Sequence, residues 1–248
     1  MIFILTGMGA LFVAIGFIVT ENNAKYLLSG YNTMKPEERK KVDMKAYIPF
    51  FRKFHVFLGL SFIALGSVLN YLISELAAGI FLATYPLLAY LWFVWQSKNY
   101  SENQARKQWI GIAILMGALL FVAILLTISL KENPLTVDSG KVIIEGSYGE
   151  EIPATDIDSI ILIGNLPEIS IRTNGFAMGS VRKGYFKTSS GGIVKLLINA
   201  EQKSNIFIRL KSGKKIYYSA KNTPNQTVYN DLKAKLSGPA YGTMPIPD

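Results

Sequence analysis

Along the first 130 residues apolar side chains come in runs too long and too continuous for one face of a soluble helix, whereas after Leu130 they recur at every second position. Residues 2–20 carry no charged side chain, and residues 54–73, 76–95 and 109–130 repeat the pattern. At about 1.5 Å of rise per residue such runs suffice for a hydrocarbon core of about 30 Å, so each predicts a membrane helix. Only Ser74 and Glu75 separate the second and third runs, which predicts a tight helical hairpin. A cleaved leader competes for the first run. That run lacks a basic stretch before Ile2 and a small-residue cleavage site before Glu21, so a retained helix is expected. Tyr47, Phe50, Phe51 and Phe54 precede the second run, Trp92, Trp95 and Tyr100 follow the third, and Trp109 opens the fourth. Amphipathic rings favour the headgroup level and mark the span ends.

The second half reads as short strands. Ile206, Ile208 and Leu210 alternate with Phe207, Arg209 and Lys211, and Ser212-Gly213-Lys214 turns the chain into residues 215–220. Further strands are expected at 141–145, 159–163, 168–172, 184–188 and 193–199, and Thr223-Pro224 opens a helix over 225–236. Strands followed by one helix predict a small barrel or sandwich closed by that helix. The expected organisation is a four-helix transmembrane domain over 1–130, a linker over 131–140, a β module over 141–237 and a flexible tail over 238–248.

Charge sets the threading. The net +9 is spread as 11 Lys/Arg against 6 Asp/Glu before residue 131 and 15 against 11 after it, too even for a nucleic-acid surface. Lys25, Lys35, Arg39, Lys40, Lys41, Lys45, Arg52 and Lys53 lie between the first two runs, Lys98, Arg106 and Lys107 between the last two, and none in the Ser74-Glu75 turn. Basic loops stay in the cytoplasm and meet anionic headgroups there, so the N-terminus and the β module are both expected outside a bacterial cytoplasmic membrane. The middle of each run is free of Asp, Glu, Lys and Arg, which argues against an ion-coupled transporter. Gly59, Ser61, Gly66 and Ser67, and separately Ala113 and Gly117, suit close helix packing within one chain, with self-association as the other reading. Pro86 should kink the third helix.

Chemistry is sparse. With no cysteine and a single histidine, His55 at the head of the second run, disulfides, thiol catalysis and a multidentate metal site have no residues to build them. Asp156 with Asp158, and Glu150 with Glu151, read as solvated loop carboxylates, and Gly191-Gly192 lacks the Lys-Ser/Thr of a phosphate loop. The expectation is a non-enzymatic protein with no catalytic, cofactor or metal site.

Between the first two runs, Pro36, Glu37 and Glu38 suit the start of a helix and Glu37 pairs with Lys41 at i,i+4, predicting an interfacial helix over 36–47 ended by Pro49. The preceding Gly30-Tyr31-Asn32-Thr33-Met34, with that helix, resembles the loop of a bacterial family of small integral membrane domains of unknown function, over about residues 5–95. It is also similar to the loop of immunity proteins that protect bacteria from secreted toxic peptides, with Asn32 where those have arginine. Two readings follow for Tyr31, Asn32, Thr33 and Met34. In one, Tyr31 and Met34 anchor the loop while Asn32 and Thr33 cap turns; in the other, the four recognise a ligand or partner.

In the second half, Tyr148-Gly149, Ile152-Pro153, Leu166-Pro167, Arg172-Thr173-Asn174-Gly175-Phe176 and Gly184-Tyr185-Phe186 resemble bacterial pleckstrin-homology-like domains. Asn174-Gly175 suits a turn with positive φ, and Gly184 a close strand crossing. The resemblance implies an all-β barrel with a C-terminal helix, a scaffold for a protein or peptide partner at the envelope. It also implies a basic rim of Arg172, Arg182, Lys183 and Lys187, which in eukaryotic relatives of the fold would meet inositide lipids. The alternative function is handling of small solutes or toxic peptides by the membrane domain.

Overall fold

The structure, a computed structural model, describes residues 1–28, 30–100 and 105–243. The chain divides into two units, Met1–Ile124 and Leu125–Asp248.

The first unit is helical: α1 (Ile2–Ile18), one-turn α2 (Ala24–Leu27) and α3 (Pro36–Arg39), α4 (Met44–Val68), α5 (Glu75–Gln96) and α6 (Ala105–Leu130), the last running into the second unit. Among the described residues three stretches are long and apolar enough to cross a membrane, Met44–Ile73, Glu75–Tyr100 and Gln108–Leu130, while Ile2–Ile18 is a shorter apolar helix. The second of the expected spans starts ten residues early. Asp43 accepts the Ala46 amide and nucleates a helix that runs through Pro49, so Pro49 ends nothing and the expected interfacial helix shrinks to α3. Burial of Ile48, Phe51, Phe54 and Leu58 on one face outweighs the single hydrogen bond that Pro49 removes. After Val68 the helix widens into a π turn over Leu69–Ile73, and Ser74 caps α5 by accepting from the Ala77 amide. Helix α5 is continuous through Pro86.

Helices α1 and α4 lie antiparallel and close together. A methyl at Gly59 would lie 2.4 Å from the Gly9 carbonyl oxygen, one at Gly16 3.1 Å from His55 Cβ, and one at Gly66 2.7 Å from Leu5. Gly9 and Gly16, like Gly59 and Gly66, recur every seventh residue, which keeps them on one seam. Gly117 on α6, by contrast, has nothing within 4 Å of where its methyl would stand.

Among the described residues the second unit has ten strands and α7 (Asn225–Lys235). A three-stranded antiparallel sheet is ordered β1 (Leu135–Asp138), β2 (Lys141–Ile144), β3 (Glu150–Pro153). A seven-stranded sheet is ordered β10-β4-β8-β9-β7-β6-β5. Its strands are β4 (Ile157–Ile163), β5 (Ile169–Met178), β6 (Val181–Thr188), β7 (Ile193–Ile198), β8 (Asn205–Leu210), β9 (Lys215–Ser219) and β10 (Ala240–Thr243). Among the described residues the large sheet does not close on itself, since β5 and β10 are its two edges; of the expected barrel or sandwich closed by a helix, the structure has two sheets and a helix around one core. That core joins Val142, Ile144, Ile152, Ile160, Leu197, Ile206, Ile208 and Tyr218 to Tyr229 and Leu232 of α7 and to Leu236 just after it. The expected linker holds β1, and the expected flexible tail holds β10, paired parallel to β4. Asn174-Gly175 is not a turn: it lies inside β5, and the chain reverses at Gly179, whose φ is 56°. Gly175 faces Gly184 in register, where a methyl on either would lie 2.2–2.3 Å from the opposing strand's carbonyl oxygen, so Gly184 serves close strand approach.

Candidate functional site

In the loop before α4, Arg39 organises the main chain. Its Nη2 donates to the Asn32 carbonyl at 2.8 Å and its guanidinium lies 5.6 Å from the Tyr31 ring centroid. Thr33 Oγ1 donates to the Gly30 carbonyl at 3.1 Å, and Tyr31 packs against the aromatic cluster of α4 and α5. Tyr31 and Thr33 are therefore tied into the loop. Asn32 contributes only its backbone: its side chain is exposed and makes no hydrogen bond among the described residues. Met34 is half-buried.

Beside this loop, Tyr47, Phe50, Phe51 and Phe54 of α4 meet Tyr90, Trp92 and Phe93 of α5, with Phe50 stacked on Phe93 at 5.2 Å and on Tyr100 at 4.8 Å. Arg52 over Phe17 and Lys98 over Trp95 add cation–ring pairs at this end. His55 is buried. It is 1% exposed among these rings; Nδ1 bonds the Phe51 carbonyl at 2.8 Å and Nε2 the Tyr90 hydroxyl at 3.0 Å. Because the carbonyl can only accept, Nδ1 carries a proton and Nε2 of the neutral ring accepts from Tyr90. Six residues on, the Ser61 and Tyr85 hydroxyls meet at 2.6 Å, a second polar rung between α4 and α5. In the π turn after α4 the buried Asn70 Oδ1 has no hydrogen-bond partner among the described residues.

In the β module the expected rim does not assemble. Lys183 is 1% exposed, and its ammonium donates to the Lys131 carbonyl. Burial, with the Lys221 charge, lowers its pKa to about 8 against an upward pull from Glu132. Side chains alternate along a strand, so Arg182 shares the Phe186 face of β6, as does Arg172 through its pairing with Phe186, while Lys187 lies on the opposite face with Lys183. Lys183 belongs to a clamp on residues 131–133. Asn199 Oδ1 accepts the Asn133 amide, Tyr218 donates to the Asn133 carbonyl at 3.0 Å, and Glu132 accepts from the Lys221 amide. Burial pushes the Tyr218 hydroxyl well above the usual phenol range.

Glu150 is not a solvated loop residue either. It opens β3 and bridges Lys195 at 2.8 Å and Lys214 at 2.5 Å, with Lys195 itself 3% exposed. Burial alone would raise the Glu150 pKa, but hydrogen bonds to the two lysines and their charges outweigh it and hold the carboxyl below its ordinary range. Glu151 pairs with Lys141 and Asp158 with Arg209.

One feature of the module has no counterpart in the sequence reading. Ile171, Lys187 and Ile193 stand side by side in register across β5, β6 and β7, all exposed, the two isoleucines at 59% and 64%. The signal is an apolar residue at a strand position facing water, invisible until the strand register is known.

Residues 6–101 match a protein family described as a domain of unknown function, DUF3784. The match spans α1 to α5 together with the loop of Tyr31–Met34 and stops short of α6 and the β module. No curated protein and no solved structure matches the chain.

Proposed function

We propose that the chain is a non-enzymatic bacterial membrane protein whose β module, outside the cytoplasmic membrane, binds a protein or peptide partner. The observation that carries this reading is the Ile171–Lys187–Ile193 row, an exposed apolar pair around a cation on an otherwise well-cored module. Support from the helices is of a different kind. Two pairs of their polar side chains join α4 to α5, His55 with Tyr90 and Ser61 with Tyr85, and act as interhelical contacts in place of lining a path for solute. Helix α1 is the fourth span in this proposal. Its 17 residues reach about 25 Å, and it follows α4 from Gly66 back to Arg52. The pleckstrin-homology-like resemblance fits a scaffold for such a partner, and the basic loops favour the outside for the module.

A photo-crosslinking residue placed at Ile171 or Ile193 of the full-length protein in living cells tests this. The expected result is a discrete adduct with one envelope protein or peptide, absent when the residue is placed at buried Ile206. Adducts with lipid alone, in cells where deletion of the protein brings sensitivity to a peptide toxin, would replace this reading by the protective one.

A further inference from the structure

The second edge of the large sheet is covered by the chain itself. Without β10, strand β4 would present its outer backbone groups unpaired beside a core that includes Ile157, Ile160 and Leu162. Strand β10 fills that edge with only four residues, Ala240 opposite Ser159 through Thr243 opposite Leu162, in the parallel sense. Parallel pairing is the slightly weaker kind per residue, and it needs no side chain from the incoming strand.

One side chain of β10 is specifically housed. Tyr241 meets the Tyr229 ring of α7 edge-on at 6.0 Å, and its hydroxyl reaches the Leu232 and Leu236 carbonyls at 3.1 and 3.2 Å. The Leu232 carbonyl, in the last turn of α7, also accepts the Leu236 amide, and Leu236 directly follows the helix. Tyr229 in turn donates to the Gly242 carbonyl at 3.0 Å, a main-chain group that any residue at that place would supply. Gly238, at φ 112° and with open space around it, lets the strand turn back from α7 onto β4. The seat thus combines backbone pairing along an edge with one aromatic slot, the two elements by which sheets take up extended peptides.

We propose that the edge of β4 beside α7 is a peptide-binding seat that β10 occupies in cis, and that its ligand in trans is an extended protein segment carrying a tyrosine between small residues, entering parallel to β4. This rests on the partner-binding reading above and adds to it a second contact, at the edge of the sheet opposite the Ile171–Lys187–Ile193 row. A tethered strand has an effective concentration in the millimolar range, so a peptide of about 10 µM intrinsic affinity would bind the intact chain roughly a hundredfold more weakly than the emptied one.

The test uses full-length protein in detergent, a chain ending at Ser237, and a full-length Tyr241→Ala variant, each titrated with a fluorescent synthetic peptide of residues 238–248. The shortened chain should bind the peptide saturably, Tyr241→Ala protein more weakly, and intact protein roughly a hundredfold more weakly than the shortened chain. A peptide carrying the same Tyr241→Ala change should lose at least tenfold. Absence of saturable binding by both variants while their β circular dichroism persists overturns the proposal, and so does loss of that β signal in both, which would make β10 an integral strand. An intact chain that is dimeric and becomes monomeric on shortening would assign the seat to a second copy and overturn the heterologous partner. Crosslinking at Ile171 unchanged in Tyr241→Ala cells, with no peptide binding, would remove this seat and leave the partner-binding reading standing.

Discussion

Gly59→Ala isolates the contact that holds α1 on α4. The new methyl would stand 2.4 Å from the Gly9 carbonyl oxygen, 2.6 Å from Val13 Cγ2 and 3.0 Å from the Val13 amide nitrogen. Carbon and carbonyl oxygen rest no closer than about 3.3 Å, so α1 must retreat by roughly 1 Å along this stretch. Overpacking of that size costs about 1–3 kcal/mol, and alanine returns about 0.5–1 kcal/mol through its better helix propensity. The net expectation is a loss of about 1–2 kcal/mol. Gly117→Ala is the internal control: open space surrounds it, so propensity alone acts and the variant should be as stable as the parent or slightly more so. Gly9→Ala acts on the same contact from the other side, since its methyl would meet Ile63 Cγ1 at 2.4 Å and the Gly59 carbonyl oxygen at 2.8 Å. Once the helices have parted for one substitution the second costs less, so the double variant should lose less than the sum of the two. Thermal denaturation of the purified chain in one fixed detergent, followed by helical circular dichroism, reads all four proteins. A Gly59→Ala protein that melts with or above Gly117→Ala would refute the close seam.

Three further outcomes are expected. The Lys183 ammonium is deprotonated in the folded module from about pH 8, whereas the unfolded chain keeps that proton to the ordinary lysine value of 10.5. The folded state therefore gains as pH rises through this window. Measured against Lys183→Met, which has no such proton, the parent should gain about 2 kcal/mol between pH 7.5 and 10, and parallel pH curves for the two would reject a buried ammonium. Glu150→Gln should cost about 1–3 kcal/mol at pH 7 by leaving buried Lys195 without a counter-charge. Because the carboxyl's depressed pKa contributes stability only above its unfolded value, that difference should shrink in acid, which melts at pH 7 and pH 3 would show. In the loop, Thr33→Ala should lower stability by about 0.5–1 kcal/mol through its lost bond to the Gly30 carbonyl, while Asn32→Ala should be neutral; the reverse order in matched melts would contradict the assignment.

What the sequence reveals of this molecule follows from how local each determinant is. Uninterrupted apolar runs and two-residue alternation are local, so three helices long and apolar enough to cross a membrane and strands β2 and β4–β9 are legible in them. Start points are less so: Asp43 caps α4 through one short contact, and Pro49 looks like a stop until the buried face of Ile48 and Phe51 is counted. Strands β1 and β10 have four residues each; β10 owes its form to β4, distant in sequence, and β1 to a tight hairpin with β2, too short a stretch to show alternation, so residues 131–140 and 238–248 look like linker and tail. Cations mislead for a similar reason. Lys183 reads as a surface charge until the register of β6 turns it onto the Lys131 carbonyl, and Glu150 as solvated until β7 and the turn before β9 bring Lys195 and Lys214 to it.

The central claim is that the basic loops hold the helices so that the β module lies away from the cytoplasm. The most direct measurement is a pair of fusions of one reporter that is active only outside the cytoplasmic membrane, placed after Asp248 or just after Lys41. Activity from the first and none from the second is the predicted pattern. Silence after Asp248 with activity after Lys41 would contradict the account, because it would put the module and its proposed partner on the wrong side of the bilayer.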